Sequence, residues 1–372
     1  MGRLETTGYY ALGAPLYAAL IAVEYAVARY RRRQVFGFAD SISNLSAGFG
    51  ELLIGLFLAP LLIALYDFGF RHIALVHWPQ GSLVPWLLAF VVADLCYYFY
   101  HRAGHQVAAF WAIHGVHHQS EHFNVTVAMR HPWLSDSYSA LFYLPLPLLG
   151  VPPTHFFVAI SFISFYALTI HTRFFNRPAL YIFTTPATHV LHHATNPEYI
   201  GKNLGAMFNV WDRLFGTYVE LDPRVPPVLG TRSGYQTHDG VLSQWLLAER
   251  LLRSASQARS WAEKLAVLVR HPGWLPRGVT LAQAPRPRAE GAIPVKLRCY
   301  VAAQFAVIGA IGLALLWNRE RQATLGLVLG ALTVMFGLST LGGLLDGRKN
   351  AVRWEIARVG LGLGFVLALW LR

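Results

Sequence analysis

The stretch DLCYYFYHRAGHQVAAFWAIHGVHH, residues 94–118, closes an apolar segment with two histidine clusters, HRAGH at 101–105 and HGVHH at 114–118. A third cluster, HVLHH at 189–193, follows another apolar segment. Residues three and four apart share a face of an α-helix, so the histidines of each cluster are predicted to point the same way. Imidazole is a common ligand for iron, zinc and copper. Eight imidazoles exceed the three or four that one ion uses, and the sequence therefore predicts a site for two metal ions.

The alternative is that these histidines are surface residues or hydrogen-bonded core residues. A pattern that occurs three times, twice in the same HxxHH form, favours a metal site over that alternative. The two cysteines, Cys96 and Cys299, lie far apart in apolar stretches, so they suggest neither a disulfide nor a thiolate site. Histidine must then supply the ligands, which favours a hard or borderline metal.

The composition is typical of an integral membrane protein. The 372 residues are 55% hydrophobic and only 13% charged, and the mean hydropathy is +0.39. Such values argue against two or three soluble domains. The net charge of +12 comes mostly from Lys and Arg between apolar segments. The positive-inside rule explains that placement, so the predicted partner is a membrane surface and not nucleic acid.

Six apolar runs are predicted to form membrane spans in an all-α, multi-pass fold: 9–28, 45–66, 83–100, 300–317, 323–345 and 356–371. The first run ends in a basic stretch at 29–33, which the positive-inside rule places in the cytoplasm. The third run then returns HRAGH to that same side. The metal core is therefore expected at the cytoplasmic ends of the spans, in a bacterial inner membrane or an ER-type membrane.

The apolar segment 138–170 is interrupted by four prolines, at 145, 147, 152 and 153. It is too short for two spans of about 20 residues each. A proline-broken hairpin that dips in and returns is the better interpretation. Such a hairpin would bring His171 and the third cluster back to the side of the first two clusters.

Four segments are predicted along the chain. Residues 1–82 form N-terminal spans with an interfacial connector, and residues 83–221 form the catalytic core. Residues 222–294 form a linker that contains the Pro-rich patch APRPRAEGAIP (284–294), and residues 295–372 form C-terminal spans. Within the linker, an amphipathic helix at 243–269 is expected to lie on the membrane.

The chemistry open to such a centre is oxygen activation, hydrolysis or transport. Transporters usually place ionisable ligands near the bilayer midplane, whereas these clusters follow the ends of spans. Hydrolytic two-metal sites usually include bridging carboxylates, which are sparse here. A histidine-rich pair of irons that is fed by dioxygen and acts on a lipid fits best. A membrane metal-binding or transport protein stays open as the alternative.

These motifs together resemble the fatty acid hydroxylase/sterol desaturase superfamily of membrane di-iron oxygenases. The resemblance lies in DLCYYFYHRAGH (94–105), HHQSEHFNVTVAMRHP (117–132), HTRFFNRP (171–178), TPATHVLHHATNP (185–197) and KNLGAMFNVWDRLFGTY (202–218). In FADSISNLSAG (38–48), and in the spans after the core, the chain is similar to alkylglycerol monooxygenases. It departs from them at Gln106, where they usually have Glu, and at His131, where they tend to have Gln.

The resemblance implies a set of metal ligands and supporting residues. The implied ligands are His101, His105, His114, His117, His118, His171, His189, His192 and His193, with His131 as a further candidate. Asp94 lies seven residues before His101, two helical turns along the same face. It is expected to accept the outer N–H of a ligand imidazole or to pair with a basic group. Asn203 and Asp212 are expected to support the site structurally.

The resemblance also implies an activity. The expected reaction is O2-dependent hydroxylation of a lipid C–H bond at a di-iron centre, with electrons from tetrahydrobiopterin, another external donor or a redox protein. Ether-lipid cleavage of the alkylglycerol type is one version of this reaction. Sterol or fatty acid desaturation or hydroxylation within the same superfamily is the other.

Overall fold

Helices make up the regular structure of this computed structural model, which describes residues 5–174, 181–232, 234, 236–279 and 287–370. Within those residues no β-strand is present, and only isolated bridges pair Phe183 with Phe208 and Ala194 with Leu229. The predicted all-α class is confirmed. The end of HTRFFNRP (175–178), the start of the Pro-rich patch (284–286) and residue 371 lie outside the described residues.

Fourteen α-helices are defined in the described part of the chain. They are α1 Glu5–Tyr30, α2 Phe38–Ile73, α3 Val84–Gln106, α4 Ala108–His114, α5 Ser135–Phe142, α6 Pro145–Leu148, α7 Pro153–Thr169, α8 Pro186–His192, α9 Val210–Leu214, α10 Ser243–Gln257, α11 Trp261–Val269, α12 Val295–Trp317, α13 Thr324–Asp346 and α14 Ala351–Trp370. Short 3₁₀ turns lie at His117–Gln119, Val125–Met129, Glu290–Ala292 and Arg319–Arg321.

Four of these helices, α2, α3, α12 and α13, are long and apolar enough to cross a membrane. At about 1.5 Å per residue, the 36 residues of α2 reach roughly 54 Å, whereas a hydrocarbon core is about 30 Å thick. The predicted span 45–66 is therefore only the middle of a longer helix. The first turns of α2, which carry FADSISN, extend beyond the apolar layer and pack against the 3₁₀ turn Val125–Met129.

Helix boundaries follow the local sequence. Proline stands in the first turn of α3, α7 and α8, where its missing N–H costs nothing. Thr185 caps α8 in a capping box with Thr188, so the helix that carries the third histidine cluster begins at a fixed point. Gly347 ends α13 in the left-handed conformation, with φ of 73°.

Helices α5, α6 and α7 form the predicted hairpin. Its turn lies against the segment after α2, where Trp78 Nε1 donates to Leu149 O at 2.8 Å. Helix α7 then runs back along α3, and Phe90 packs edge-on against Phe162 with ring centroids 5.8 Å apart. His171 follows α7 directly. The hairpin therefore returns the chain to the end of α3 that carries HRAGH, as the sequence predicted.

The linker differs from its prediction. The amphipathic segment 243–269 is two helices and not one, because Ser260 caps a new helix by accepting from Glu263 N. Helix α10 packs on α4, with Leu247 against Ala112. A Cβ at Gly115 would lie 2.6 Å from the Leu247 side chain and 2.8 Å from the Trp111 carbonyl oxygen, so a larger residue would force a shift under this helix. Part of the linker thus covers the histidine core.

One boundary of the helical bundle gathers the start of α2, the end of α3 and the end of α13. The Arg130 guanidinium, next to the second histidine cluster, donates to Ser43 Oγ at 2.8 Å. Gly240 packs so closely on α2 that a Cβ there would lie 2.5 Å from Ser43 O. Two residues earlier, His238 N donates to Asp346 Oδ1 at 2.7 Å. The histidine clusters and the turn after α13 therefore lie on the same side.

Candidate metal centre

Two groups of histidines meet where α3, α4 and α8 end. The first group, group A, has one nitrogen from each ring within 4.8 Å of all the others; its members are His101, His105, His114, His118 and His192. The Nε2 atom of His114 is 3.1 Å from Nε2 of His101 and 3.1 Å from Nε2 of His118. All but His105 are at most 4% exposed. Three separate segments thus direct imidazoles at one point.

The second group, group B, meets the same 4.8 Å criterion with His117, His171, His189 and His193. The Nε2 atom of His171 is 3.1 Å from Nε2 of His117 and 3.0 Å from Nε2 of His189. The two groups adjoin, since the rings of His118 and His193 stack with centroids 4.5 Å apart. Nine predicted ligands therefore lie in two neighbouring clusters.

The HxxHH clusters do not present their three histidines together, which corrects the single-face expectation. In HGVHH, His114 and His118 enter group A and His117 enters group B; in HVLHH, His192 enters group A and His189 and His193 enter group B. Residues four apart do share a group, but adjacent residues lie about 100° apart around a helix. The paired HH therefore feeds two different groups.

Backbone carbonyls fix the orientation of four of these rings. A carbonyl oxygen can only accept, so the ring nitrogen Nδ1 must carry the proton and Nε2 keeps a lone pair directed into the cluster. The four Nδ1–carbonyl pairs are His101 with Leu204 (2.7 Å), His117 with Arg130 (3.2 Å), His171 with Ala167 (2.7 Å) and His192 with Lys202 (3.0 Å).

The free nitrogens and the charge state both fit bound metal. The Nε2 atoms of His105 and His192 are buried and have no hydrogen-bond partner, and such orphaned atoms are costly unless something binds them. Burial lowers the pKa of His171 to about 4. Burial, followed by the charge of neighbouring histidines, holds the pKa of His118 and His193 well below the ordinary value. The rings are therefore neutral near pH 7, as metal ligation requires.

Asp94 does not accept an imidazole N–H, so that expectation is wrong. Its Oδ1 accepts from Met207 N at 3.0 Å, and its Oδ2 accepts from Phe208 N at 3.2 Å and from Trp211 Nε1 at 2.9 Å. Nor does Arg102 neutralise it, because Arg102 donates to Tyr98 Oη. Asp94 instead ties α3 to the loop after the third histidine cluster.

Asp212 and Asn203 hold that same loop from its other side. Asp212 accepts from Leu204 N at 2.7 Å and from Gly205 N at 2.8 Å. Asn203 has a φ of +52° and donates from Nδ2 to Thr188 O at 3.0 Å. The carbonyl of Leu204 faces His101. Asp212 and Asn203 therefore help to fix the loop whose carbonyl oxygen accepts from His101. Their contacts are those of supporting residues.

Arg130 is a supporting residue that sequence reasoning missed. It is only 1% exposed. Its guanidinium donates to Val116 O, Asn44 Oδ1 and Gln119 Oε1 at 2.9, 3.1 and 2.8 Å, while its own carbonyl faces His117. It thus joins α2 to the second histidine cluster. The only sequence signal was an Arg within the family-like VAMRHP stretch, and nothing local shows that it is buried.

His131 lies outside both groups. Its Nδ1 is 2.7 Å from Glu51 Oε1 on α2, and the side chain is 38% exposed. Burial acts to lower the pKa of His131, but the neighbouring Glu51 carboxylate outweighs that effect and raises the pKa to about 9. A protonated imidazole has no lone pair to offer a metal. Its contacts are therefore those of an ion pair with α2.

The comparisons with known proteins fall on the same segment. The family model described as fatty acid hydroxylase matches residues 86–217, which contain both histidine groups. Alkylglycerol monooxygenase of Danio rerio is 32% identical over 330 residues, covering 86% of this chain and 73% of that protein. The chain belongs to the fatty acid hydroxylase family.

Two further relatives extend the likeness. Alkylglycerol monooxygenase of Homo sapiens is 28% identical over 365 residues, which are 95% of this chain and 81% of that protein. An ornithine lipid hydroxylase of Rhizobium tropici is 31% identical over 144 residues, which are 38% of this chain and 43% of that protein. No solved structure matches the chain.

Family membership and the four membrane-span helices confirm the predicted class of activity. The protein is a multi-pass membrane oxidoreductase that hydroxylates lipid. Both the resemblance to the hydroxylase/desaturase superfamily and the enzyme prediction are confirmed. The two buried histidine groups are the part of the fold that could hold the metal on which such an oxygenase depends.

Proposed function

We propose that groups A and B each hold one iron ion and that the enzyme uses dioxygen to hydroxylate ether lipids of the alkylglycerol type. The observation that carries the proposal is the pair of adjoining clusters in which imidazole lone pairs converge, in a chain alignable over most of its length with alkylglycerol monooxygenases. An iron pair bound there would supply the activation of dioxygen. His131 is not part of the ligand set.

The chain itself contributes ligand orientation and exclusion of water. Carbonyls of Leu204, Arg130, Ala167 and Lys202 hold four Nδ1–H groups, so the Nε2 lone pairs need no reorganisation when metal binds. The buried rings of groups A and B keep bulk water away from the centre between them. Exclusion of water protects an oxidising centre from side reactions. Helix α10 closes the outer side over α4.

The proposed reaction inserts one oxygen atom of O2 into the C–H bond next to the ether oxygen. The other oxygen atom leaves as water, with two electrons and two protons from a reduced pterin such as tetrahydrobiopterin, or from a redox protein. The product is a hemiacetal, whose C–O bond breaks to give a fatty aldehyde and a free glycerol hydroxyl. Lipid from the surrounding membrane reaches the centre laterally in this proposal.

We further propose that the side of the helical bundle that carries the two histidine groups faces the cytoplasm. Basic residues gather there, with the run 29–33 after α1 and with Arg298, Arg348 and Lys349 near α12 and α13. Among the described residues, the opposite ends of the spans carry fewer basic groups, namely Arg71, Arg319 and Arg321. This asymmetry supports a cytoplasmic orientation under the positive-inside rule.

The proposal is tested with the full-length protein purified in detergent. Iron per chain is measured first, and about two ions are expected. Oxygen consumption and aldehyde release are then measured with a 1-O-alkylglycerol and a reduced pterin, with the ester-linked monoacylglycerol of the same chain length as matched control. Activity on the ether lipid without activity on the ester supports the proposal. Activity on a sterol or a fatty acid panel, or metal uptake into proteoliposomes without oxygen consumption, would overturn it.

A further inference from the structure

A cleft opens at the turn between α13 and α14, at the same boundary as the histidine groups but outside them. Its volume is about 420 Å³. One wall is apolar, formed by Phe336 and Trp354, whose rings meet edge-on with centroids 6.2 Å apart. The other wall is polar and includes Ser339, Lys349 and Asn350. The cleft therefore changes from apolar to polar towards the turn that joins the two helices.

The apolar wall is open to its surroundings. Phe336 is 37% exposed and Trp354 is 58% exposed. Tryptophan is enriched at the level of lipid head groups, where its ring contacts acyl chain and its N–H stays near water. This wall is placed to contact the upper part of a lipid chain.

The polar wall carries one cation that is paired and one that is not. Arg348 is already neutralised, because its guanidinium lies 3.0 Å from Asp239 Oδ2 and 2.8 Å from Asp346 Oδ2. Lys349 is exposed, and no carboxylate of the described residues lies within ion-pair distance of it. The Arg288 guanidinium packs over Gly347, where a Cβ would lie 2.6 Å from Nη2. Among the described residues, Lys349 is thus a lining cation of the cleft without a carboxylate partner, and Arg288 lies beside the same turn.

We infer that this cleft binds an anionic phospholipid from the leaflet on the histidine side. Its phosphate would lie at Lys349, with Asn350 as a neutral hydrogen-bonding neighbour and Arg288 beside the adjoining turn at Gly347, and its first methylenes would lie against Phe336 and Trp354. A pocket of this volume takes a head group and part of a chain. Basic pockets between spans on the cytoplasmic side are suited to anionic head groups. This lipid is a bound partner and not the oxidised substrate.

The cleft is connected through Arg348 to the segment that leads into α10. Arg348 holds Asp239, which accepts from Val241 N at 3.0 Å and Leu242 N at 2.9 Å just before α10. Helix α10 covers the second histidine cluster. A lipid beside Arg348 therefore contacts the anchor of the segment that closes the metal centre.

The test uses the full-length protein in mixed micelles with phosphatidylglycerol or phosphatidylcholine, with bound lipid counted by native mass spectrometry and stability followed as Tm. Phosphatidylglycerol is expected to remain bound and raise the Tm, and phosphatidylcholine is not. Each basic side chain contributes about fivefold to such binding, so Lys349→Gln should weaken retention about fivefold. Trp354→Ala should weaken it too, and Lys349→Arg should retain it.

The matched control is Arg321→Gln, which removes one exposed positive charge beside the other end of α13. Equal losses with Arg321→Gln and Lys349→Gln would overturn the inference, since binding would then reflect overall charge. Equal protection by inorganic phosphate alone would show that no lipid is required and would overturn it as well. Iron content is measured on the same samples, so loss of lipid and loss of the metal centre are separate results.

Discussion

The histidine core and the C-terminal spans both bury polar groups among apolar helices, but they do so in opposite ways. In the C-terminal spans, Glu355 accepts from Tyr300 Oη at 2.6 Å and from Thr340 Oγ1 at 2.7 Å, and it pairs with Arg358. The buried Glu355 carboxylate and the Arg358 guanidinium therefore neutralise each other within these helices. In the histidine core, nitrogens of His105 and His192 are left with no partner.

The difference distinguishes a structural network from a functional one. Polar groups buried in a membrane protein are expensive, so those that satisfy one another are consistent with a purely structural role. Buried polar atoms whose free lone pairs converge on one point are stable only when a ligand such as a metal ion binds them. The comparison predicts that the core needs metal for its stability and that the C-terminal network does not.

The largest effect is expected from His192→Ala. This change removes a group A ligand, so activity should fall more than about a hundredfold, beyond what a lost supporting contact costs. Iron per chain should fall as well, as measured by elemental analysis of the purified protein. His131→Ala is the control, because His131 lies outside both groups. Full iron content in the His192 variant would break the comparison.

Breaking the C-terminal network should affect stability alone. Arg358→Met leaves the buried Glu355 carboxylate without its cation, which costs about 3 kcal/mol in comparable buried pairs. The Tm should fall while iron per chain stays unchanged. The double change Glu355→Gln with Arg358→Met should recover part of the loss. Loss of iron in the single variant would mean that the two regions are not independent.

A smaller effect on metal affinity is expected from Asp212→Asn. The new amide group can accept from only one of Leu204 N and Gly205 N, so the Leu204 carbonyl that holds His101 loses its fixed position. Metal affinity should drop about 10- to 100-fold, as for other residues that orient a ligand. A chelator competition measures this value. Asp222→Asn, at an exposed ion pair with Arg224, should leave it unchanged.

The smallest effect is a pH dependence from His131 and Glu51. The pKa of His131 is raised from 6.5 to about 9 in the fold, so its pairing stabilises fully below about pH 6.5 and the contribution is lost as the pH rises through 9. The Tm difference between the wild type and Glu51→Gln should shrink over that range. Glu249→Gln, whose partner Arg253 does not titrate there, should give a constant difference.

Much of the core could be predicted from sequence because its signals are local. The histidine spacing indicated eight of the nine residues that meet, the family resemblance added His171, and proline positions indicated the hairpin that returns it. The four-apart pairs, such as His114 with His118, also share a group as helical periodicity requires. These inferences need only the geometry of one helix or one turn.

The remainder depended on contacts between distant parts of the chain. The carbonyl of Leu204 meets His101 across 103 residues, and Arg130 reaches Ser43 across 87. The spacing of residues along the sequence does not indicate contacts between such distant positions. Asp94 lies on the helical face that carries His101. Its carboxylate nevertheless accepts from three donors at 207–211 in place of an imidazole N–H.

The division of each HxxHH cluster between groups A and B has a consequence for how the centre fills. An ion in either group would bind rings of both HxxHH clusters and would so stabilise the segments that also carry ligands of the other ion. Uptake should then be cooperative, with a chain that holds a single ion rarely populated at equilibrium. Deleting or grafting either HxxHH segment would disturb both ions at once, so this architecture offers no simple path to a half-filled enzyme.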